Sequence, residues 1–246
     1  NVLSAFIGKL TGSDSIVEMA SSVVKDTPLI STARTYTVEQ SAKDFNIESV
    51  NNQFKFETVS SLEELLAELK NTKRDITEVV VNWTSTFIDQ ILSARDIQLD
   101  LGTPIPYHFI IRRDGTIQRG RPVSIPSTAD AVTKGHVQYS ISLAFVAGYN
   151  TPSGTPNKEF FLSEKSINPT QMKTFRDFCT TFYTAYAGGQ VLGFNDLIGD
   201  PLRGPGFTVE EYITNNFNKK TLIDNLENSN SLSPTELIDK SKGIAV

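Results

Sequence analysis

A single cysteine, Cys179, leaves this chain without an intrachain disulfide or a multi-cysteine zinc site, so the fold has to stand on its core. Histidine is almost as scarce: His108 and His136 are the whole supply, and a two-histidine metal site would consume both. A basic excess is also missing. The net charge is -5 and the pI is near 5.2, which argues against wholesale nucleic-acid binding. Four arginines, Arg112, Arg113, Arg119 and Arg121, do gather in one stretch, and the expectation is solvated charges flanking a hairpin, not a phosphate patch. No apolar run approaches bilayer length, and with 39% hydrophobic residues and a mean hydropathy of -0.19 no membrane span is expected. The chain opens on Asn1-Val2 with no signal-peptide pattern, so the expectation is a fragment or a processed product.

What is present centres on two stretches. Residues 78–84 form a β-branched apolar run ending in Asn82, Trp83 and Thr84, the pattern by which a buried strand delivers side chains to the rim of a site. Residues 105–121 predict a hairpin, with strand-forming residues over 107–112, the turn pair Asp114-Gly115, and a returning strand over 116–119. Residues 1–50 predict two short amphipathic helices and a polar linker, an extension that contacts a partner or packs on the main domain. Residues 51–77 lead into the domain through a short strand at 53–59 and a helix whose stripe is Leu62, Leu65, Leu66 and Leu69. Helical spacing then predicts a helix over 86–99, and strands are expected at 139–146, at 190–194 and, as a short edge, at 160–162. Asn168-Pro169 marks a helix start, followed by the stripe Met172, Phe175, Cys179, Phe182 and Tyr186, on which Cys179 reads as a small buried hydrophobe. A Gly/Pro loop over 196–207 and a capping box at Thr208 to Glu211 follow, and residues 218–246 form a charged tail with one more capped helix at Ser233.

Taken together, the segments 79–84, 106–121, Gly135-His136, Thr170-Gln171-Met172, Gly193-Phe194-Asn195-Asp196 and 204–207 resemble, in that order, the zinc-dependent N-acetylmuramoyl-L-alanine amidases. That family includes bacteriophage lysozyme-type amidases and peptidoglycan-recognition proteins. The resemblance implies an α/β domain over 78–217, with a central mixed β-sheet flanked by helices and a helical N-terminal extension added to it. It also implies cleavage of the amide between the muramic acid lactyl group and L-alanine, by a zinc that keeps an open position for water. Where the family carries its three zinc ligands, this sequence has Asn82, Phe194 and Gly204. A carboxamide is a poor zinc ligand, and phenyl and hydrogen are none, so the expectation is no zinc and no hydrolysis. Tyr107 matches the family's active-site tyrosine, which donates a hydrogen bond to substrate or oxyanion. His136 matches a site-lining histidine, in a segment shortened around Tyr139 to Ser142.

Three functional readings remain open on the sequence. The first is a catalytically inactive amidase-like domain, structural or peptidoglycan-binding, in a phage tail or baseplate, with other subunits of the assembly as partners and the virion as its location. The second is an active amidase with a non-standard site; a substitute cluster of His108 and His136 with Asp196 or Asp200 is disfavoured, because His108 follows Tyr107 on a strand and points to the opposite face. The third is a muropeptide receptor in which Trp83, Tyr107 and Arg121 supply stacking and carboxylate recognition, although Trp83 equally reads as core and Arg121 as a strand-end charge. No nucleophile motif of the Gly-x-Ser-x-Gly kind supports a serine hydrolase.

Overall fold

A computed structural model describes residues 54–129, 135–155 and 162–217. The expected N-terminal helices and the C-terminal tail lie outside the described residues. A five-stranded sheet in the order β4-β3-β5-β1-β7 forms the centre. Its strands are β1 (Glu78–Trp83), β3 (Phe109–Ile111), β4 (Ile117–Arg119), β5 (Ser140–Phe145) and β7 (Gln190–Gly193). β1 pairs in parallel with both β5 and β7, β3 pairs in parallel with β5, and β4 closes one edge antiparallel to β3. The sheet is therefore mixed, as the resemblance led one to expect, and its middle is parallel.

All six residues of β1 are buried, the signature of a central strand covered on both faces. Alternation along it sends Val79, Val81 and Trp83 into the larger core and Val80 and Asn82 to the other side. Helix α3 (Pro169–Ala185) fills the larger core. Phe178 meets Phe109 of β3 with ring centroids 5.7 Å apart, and Phe175 meets Phe145 of β5 at 5.3 Å. Cys179 is fully buried on the same face, where burial pushes its thiol pKa up. Helix α1 (Leu62–Asn71) adds Leu65 and Leu69 to this core. The opposite face holds a smaller cluster of Phe54, Ala94, Ile97, Ile105, Ile110, Ala144 and Val146.

The hairpin forms in the expected register, with Ile111 opposite Ile117. Gly115 takes φ 84°, and Asp114 Oδ1 accepts from Thr116 N at 2.9 Å. A Cβ at Gly115 would lie 2.5 Å from Thr170 Cγ2, so the turn can press against α3 only without a side chain. The Thr170-Gln171-Met172 motif has a structural reason as well. Gln171 Nε2 donates to Ile111 O and Val146 O, both at 3.1 Å, which ties α3 to the ends of β3 and β5.

Four expectations need correction. The helix expected over 86–99 begins only at Ala94: α2 runs Ala94–Leu101 behind a Ser93/Asp96 capping box, while β2 (Thr86–Phe87) pairs with β6 (Gly148–Tyr149). The segment near 53–59 joins β4 by one bridge, Thr58 to Gln118, instead of a full strand. The loop over 196–207 starts with helical turns, since α4 spans Phe194–Ile198. At α5 (Val209–Asn216) Thr208 makes no side-chain cap, and Asp196 Oδ2 accepts from Val209 N at 3.2 Å in its place. Of the expected edge strand at 160–162, Leu162 bridges Tyr149, and its other residues lie outside the described ones. No helix among the described residues is long and apolar enough to cross a membrane.

Candidate functional site

Parallel strands place the residues that follow them at one end of a sheet, and here that end gathers the three positions that diverge from the amidase pattern. Val81 of β1 is in register with Gly193 of β7, so Asn82 and Phe194 follow side by side. Gly204 O accepts from Asn195 N at 3.0 Å, which fixes the 199–208 loop above this edge. A Cβ on Gly204 would lie 2.4 Å from Trp83 N, so Gly204 rests directly on the Asn82–Trp83 end of β1. Asn82, Phe194 and Gly204 are thus brought together from three separate segments.

Their chemistry does not suit a metal ion. Asn82 is buried, and its Nδ2 donates to Val80 O and to Ser142 Oγ, each at 3.4 Å. Phe194 and Gly204 carry no donor atom on their side chains. Among the described residues, no group of three or more His, Cys, Asp or Glu side chains is placed to hold a metal. The donor set at this position therefore does not fit the zinc that the resemblance implies.

Tyr107 reaches the same end of the sheet. Its hydroxyl donates to Trp83 O at 3.5 Å, and its ring packs against the smaller core. Tyr107 is half-buried, whereas Trp83 is buried. Ser142 joins it from β5; the sequence marks it only as the end of the shortened Tyr139 to Ser142 segment, and its contact with Asn82 has no local signal.

The other candidates lie elsewhere or are engaged. Trp83 is 5% exposed and belongs to the larger core, so its indole is not on a surface where a ligand could stack. Arg121 is 9% exposed; its Nε donates to Ile105 O at 3.1 Å, its Nη1 to Pro126 O at 3.4 Å, and its guanidinium lies 5.7 Å from the Phe54 ring centroid. Burial pulls its pKa down to about 10. His136 pairs with Glu78, the first residue of β1, and so sits at the opposite end of that strand from Asn82. At roughly 3.3 Å per residue, those two positions are about 13 Å apart.

His108 is fully buried, as its place on the opposite face from Tyr107 led one to expect. Nδ1 accepts from Ser142 N at 2.8 Å and Nε2 bonds Ile125 O at 2.7 Å, which sets the tautomer with the proton on Nε2. Desolvation, with lesser help from the nearby Arg74 and Arg121 cations, lowers its pKa to about 3. His108 and His136 do not converge. The arginine cluster is not solvated either: Arg113 donates to Ser166 O at 2.7 Å and Phe87 O at 2.8 Å, and Arg119 pairs with Glu64 and Glu68. These guanidiniums knit loops and helix α1 to the hairpin, which their spacing in the sequence does not reveal.

No family model matches the chain. Curated relatives do. An endolysin of Klebsiella phage KP32 is 28% identical over 159 residues, covering 60% of this chain and 92% of that protein. An endolysin of Enterobacteria phage T3 is 28% identical over 157 residues, and one of Escherichia phage T7 is 27% identical over 157 residues, each with the same coverage. The ordered motifs, the mixed sheet that gathers Asn82, Phe194 and Gly204 at one end, and these phage endolysins together support an amidase-family relationship for this chain.

Proposed function

We propose that this chain is an amidase-like domain of a phage protein that neither holds zinc nor hydrolyses peptidoglycan, and that serves as a structural or peptidoglycan-binding module in a tail or baseplate. The observation that carries the reading is the convergence of Asn82, Phe194 and Gly204, where a metal-dependent amidase needs three donors and this chain supplies one carboxamide. Without a Lewis acid, none of the described residues at this end of the sheet lowers the pKa of an attacking water as a zinc would, and Tyr107 has no metal-polarised oxyanion to assist. The relatives are phage endolysins, which supports the phage and peptidoglycan parts of the proposal.

The test uses the purified full chain, prepared without chelator. Zinc well below one ion per chain, no release of stem peptides with new L-alanine N termini from sacculi, and detection of the chain in purified phage particles are the expected results. Stoichiometric zinc or stem-peptide release would overturn the proposal. A second reading, a muropeptide receptor, draws on Tyr107, whose half-buried ring lies at the retained end of the sheet. Sacculus retention without turnover, reduced in Tyr107→Ala, would favour it over a purely structural role.

A further inference from the structure

The loop that crosses the lost ligand position does not merely lack a donor; it lies on an aromatic ring. A Cβ on Gly204 would sit 2.4 Å from Trp83 Cδ1 and 2.6 Å from Cγ, while a Cβ on Gly206 would sit 2.5 Å from Cζ3 and 2.6 Å from Cη2. The two glycines therefore meet the indole at its five-membered and its six-membered ring. Gly204 is also 2.4 Å, by the same measure, from the main-chain nitrogen of Trp83, an atom that cannot swing away. Three more contacts pin the segment: Asn195 N donates to Gly204 O at 3.0 Å, Asn195 Nδ2 to Phe207 O at 3.2 Å, and Phe207 packs 6.3 Å from Phe145.

A metal in this position would bind β1, the start of α4 and the loop before α5 to one centre. The geometry points to Trp83 as the residue that takes over that tethering: its indole clasps the 204–206 segment onto β1, with no room left between segment and strand for a side chain at Gly204 or Gly206. This inference rests on the metal-free reading above and adds to it. Apolar and van der Waals contact with a buried indole supplies the cohesion, since contact area and fit, not donors, determine such a join. It follows that the ligand position is shut at the level of the backbone, and that putting ligand side chains back does not reopen it.

The experiment has two arms. In the first, Gly204→Ala, Trp83→Phe and Trp83→Ala are compared with the wild type by thermal melting and by trypsin at native temperature. The Arg203–Gly204 bond, beside a half-exposed Arg203, reports on the loop. Expected are a Tm lowered by several degrees in Gly204→Ala, where the added methyl meets the Trp83 backbone, and faster cleavage after Arg203 in both Trp83 variants than at any other site. Unchanged melting of Gly204→Ala, or cleavage after Arg203 no faster than in the wild type, would overturn the clasp. In the second arm, Asn82→His, Phe194→His and Gly204→Cys are combined and zinc is measured per chain, with far-ultraviolet circular dichroism as the check on folding. Expected is no stoichiometric zinc and no zinc-dependent rise in Tm; one zinc per folded chain would overturn the inference. Zinc in the wild type itself would overturn the metal-free reading instead, so the two failures are distinguishable. Should the triple variant not fold, the single substitutions of the first arm decide the question.

Discussion

At the scale of single residues, the molecule shows how little a side chain's chemical type says before its surroundings are known. His108 is an imidazole with two backbone partners and no solvent contact, held neutral by burial. Its pKa near 3 in the folded chain lies below the ordinary value of 6.5 of the unfolded one. The unfolded state therefore binds the extra proton first, and the stabilising contribution is present above pH 6.5 and lost as pH falls from 6.5 towards 3. Within that window the slope approaches about 1.4 kcal/mol per pH unit. Chemical denaturation of wild type and His108→Gln across pH 4 to 7 should show this difference in slope, with the variant less stable at pH 7 and flatter below it. Equal slopes would mean that His108 is not buried neutral. Arg121, by contrast, keeps its charge at neutral pH even with its pKa drawn down to about 10, and its bonds to Ile105 O and Pro126 O make it a clamp on the hairpin flank.

Elements follow local signals where those signals are reciprocal. Helix α3 begins where Asn168 predicts, because Asn168 Oδ1 accepts from Gln171 N at 2.8 Å and Gln171 Oε1 accepts from Asn168 N at 3.1 Å. Asn168 Nδ2 also donates to Arg113 O at 2.8 Å, so the cap doubles as a tie to the hairpin. Asn168→Ala should cost about 1 kcal/mol from the cap alone. Asn168→Asp, which keeps the acceptor and loses the donor to Arg113, should fall between the two in urea denaturation. The 86–99 segment shows the reverse. Phe87, Ile91 and Leu92 have helical spacing, but Phe87 stacks on Tyr149 with centroids 4.7 Å apart, and Ile91 is 72% exposed. Ser85 at φ 55° breaks the chain direction between β1 and β2, and the pairing of Thr86 with Gly148 wins over helical periodicity. Only the Ser93 capping box marks the true start of α2.

For the whole molecule, stability rests on two cores separated by the sheet, of which the α3 side is the larger. Phe178 is fully buried against Phe109, so Phe178→Ala should cost about 3–5 kcal/mol, a large share of the 5–15 kcal/mol that holds an ordinary domain together. Loss of the cooperative thermal transition at 37 °C, or a midpoint far below that of the wild type, is the expected result. The sequence by itself determined the central strand, the hairpin with its Asp114-Gly115 turn, the capped helix α3 and the amidase resemblance, because each is written in local spacing and in residue types that admit few alternatives. Through that resemblance it also pointed to Asn82, Phe194 and Gly204, since a residue that carries no good zinc donor is visible in one letter. Tertiary structure alone decided the rest. It brought Asn82, Phe194 and Gly204 to one end of the sheet, put His136 at the other, turned Trp83 inward under the 204–206 segment, and tied the arginines to carbonyls and glutamates. The physical reason is that register and close packing join residues more than a hundred positions apart, and no local pattern encodes which of two faces, or which end of a strand, a side chain will meet.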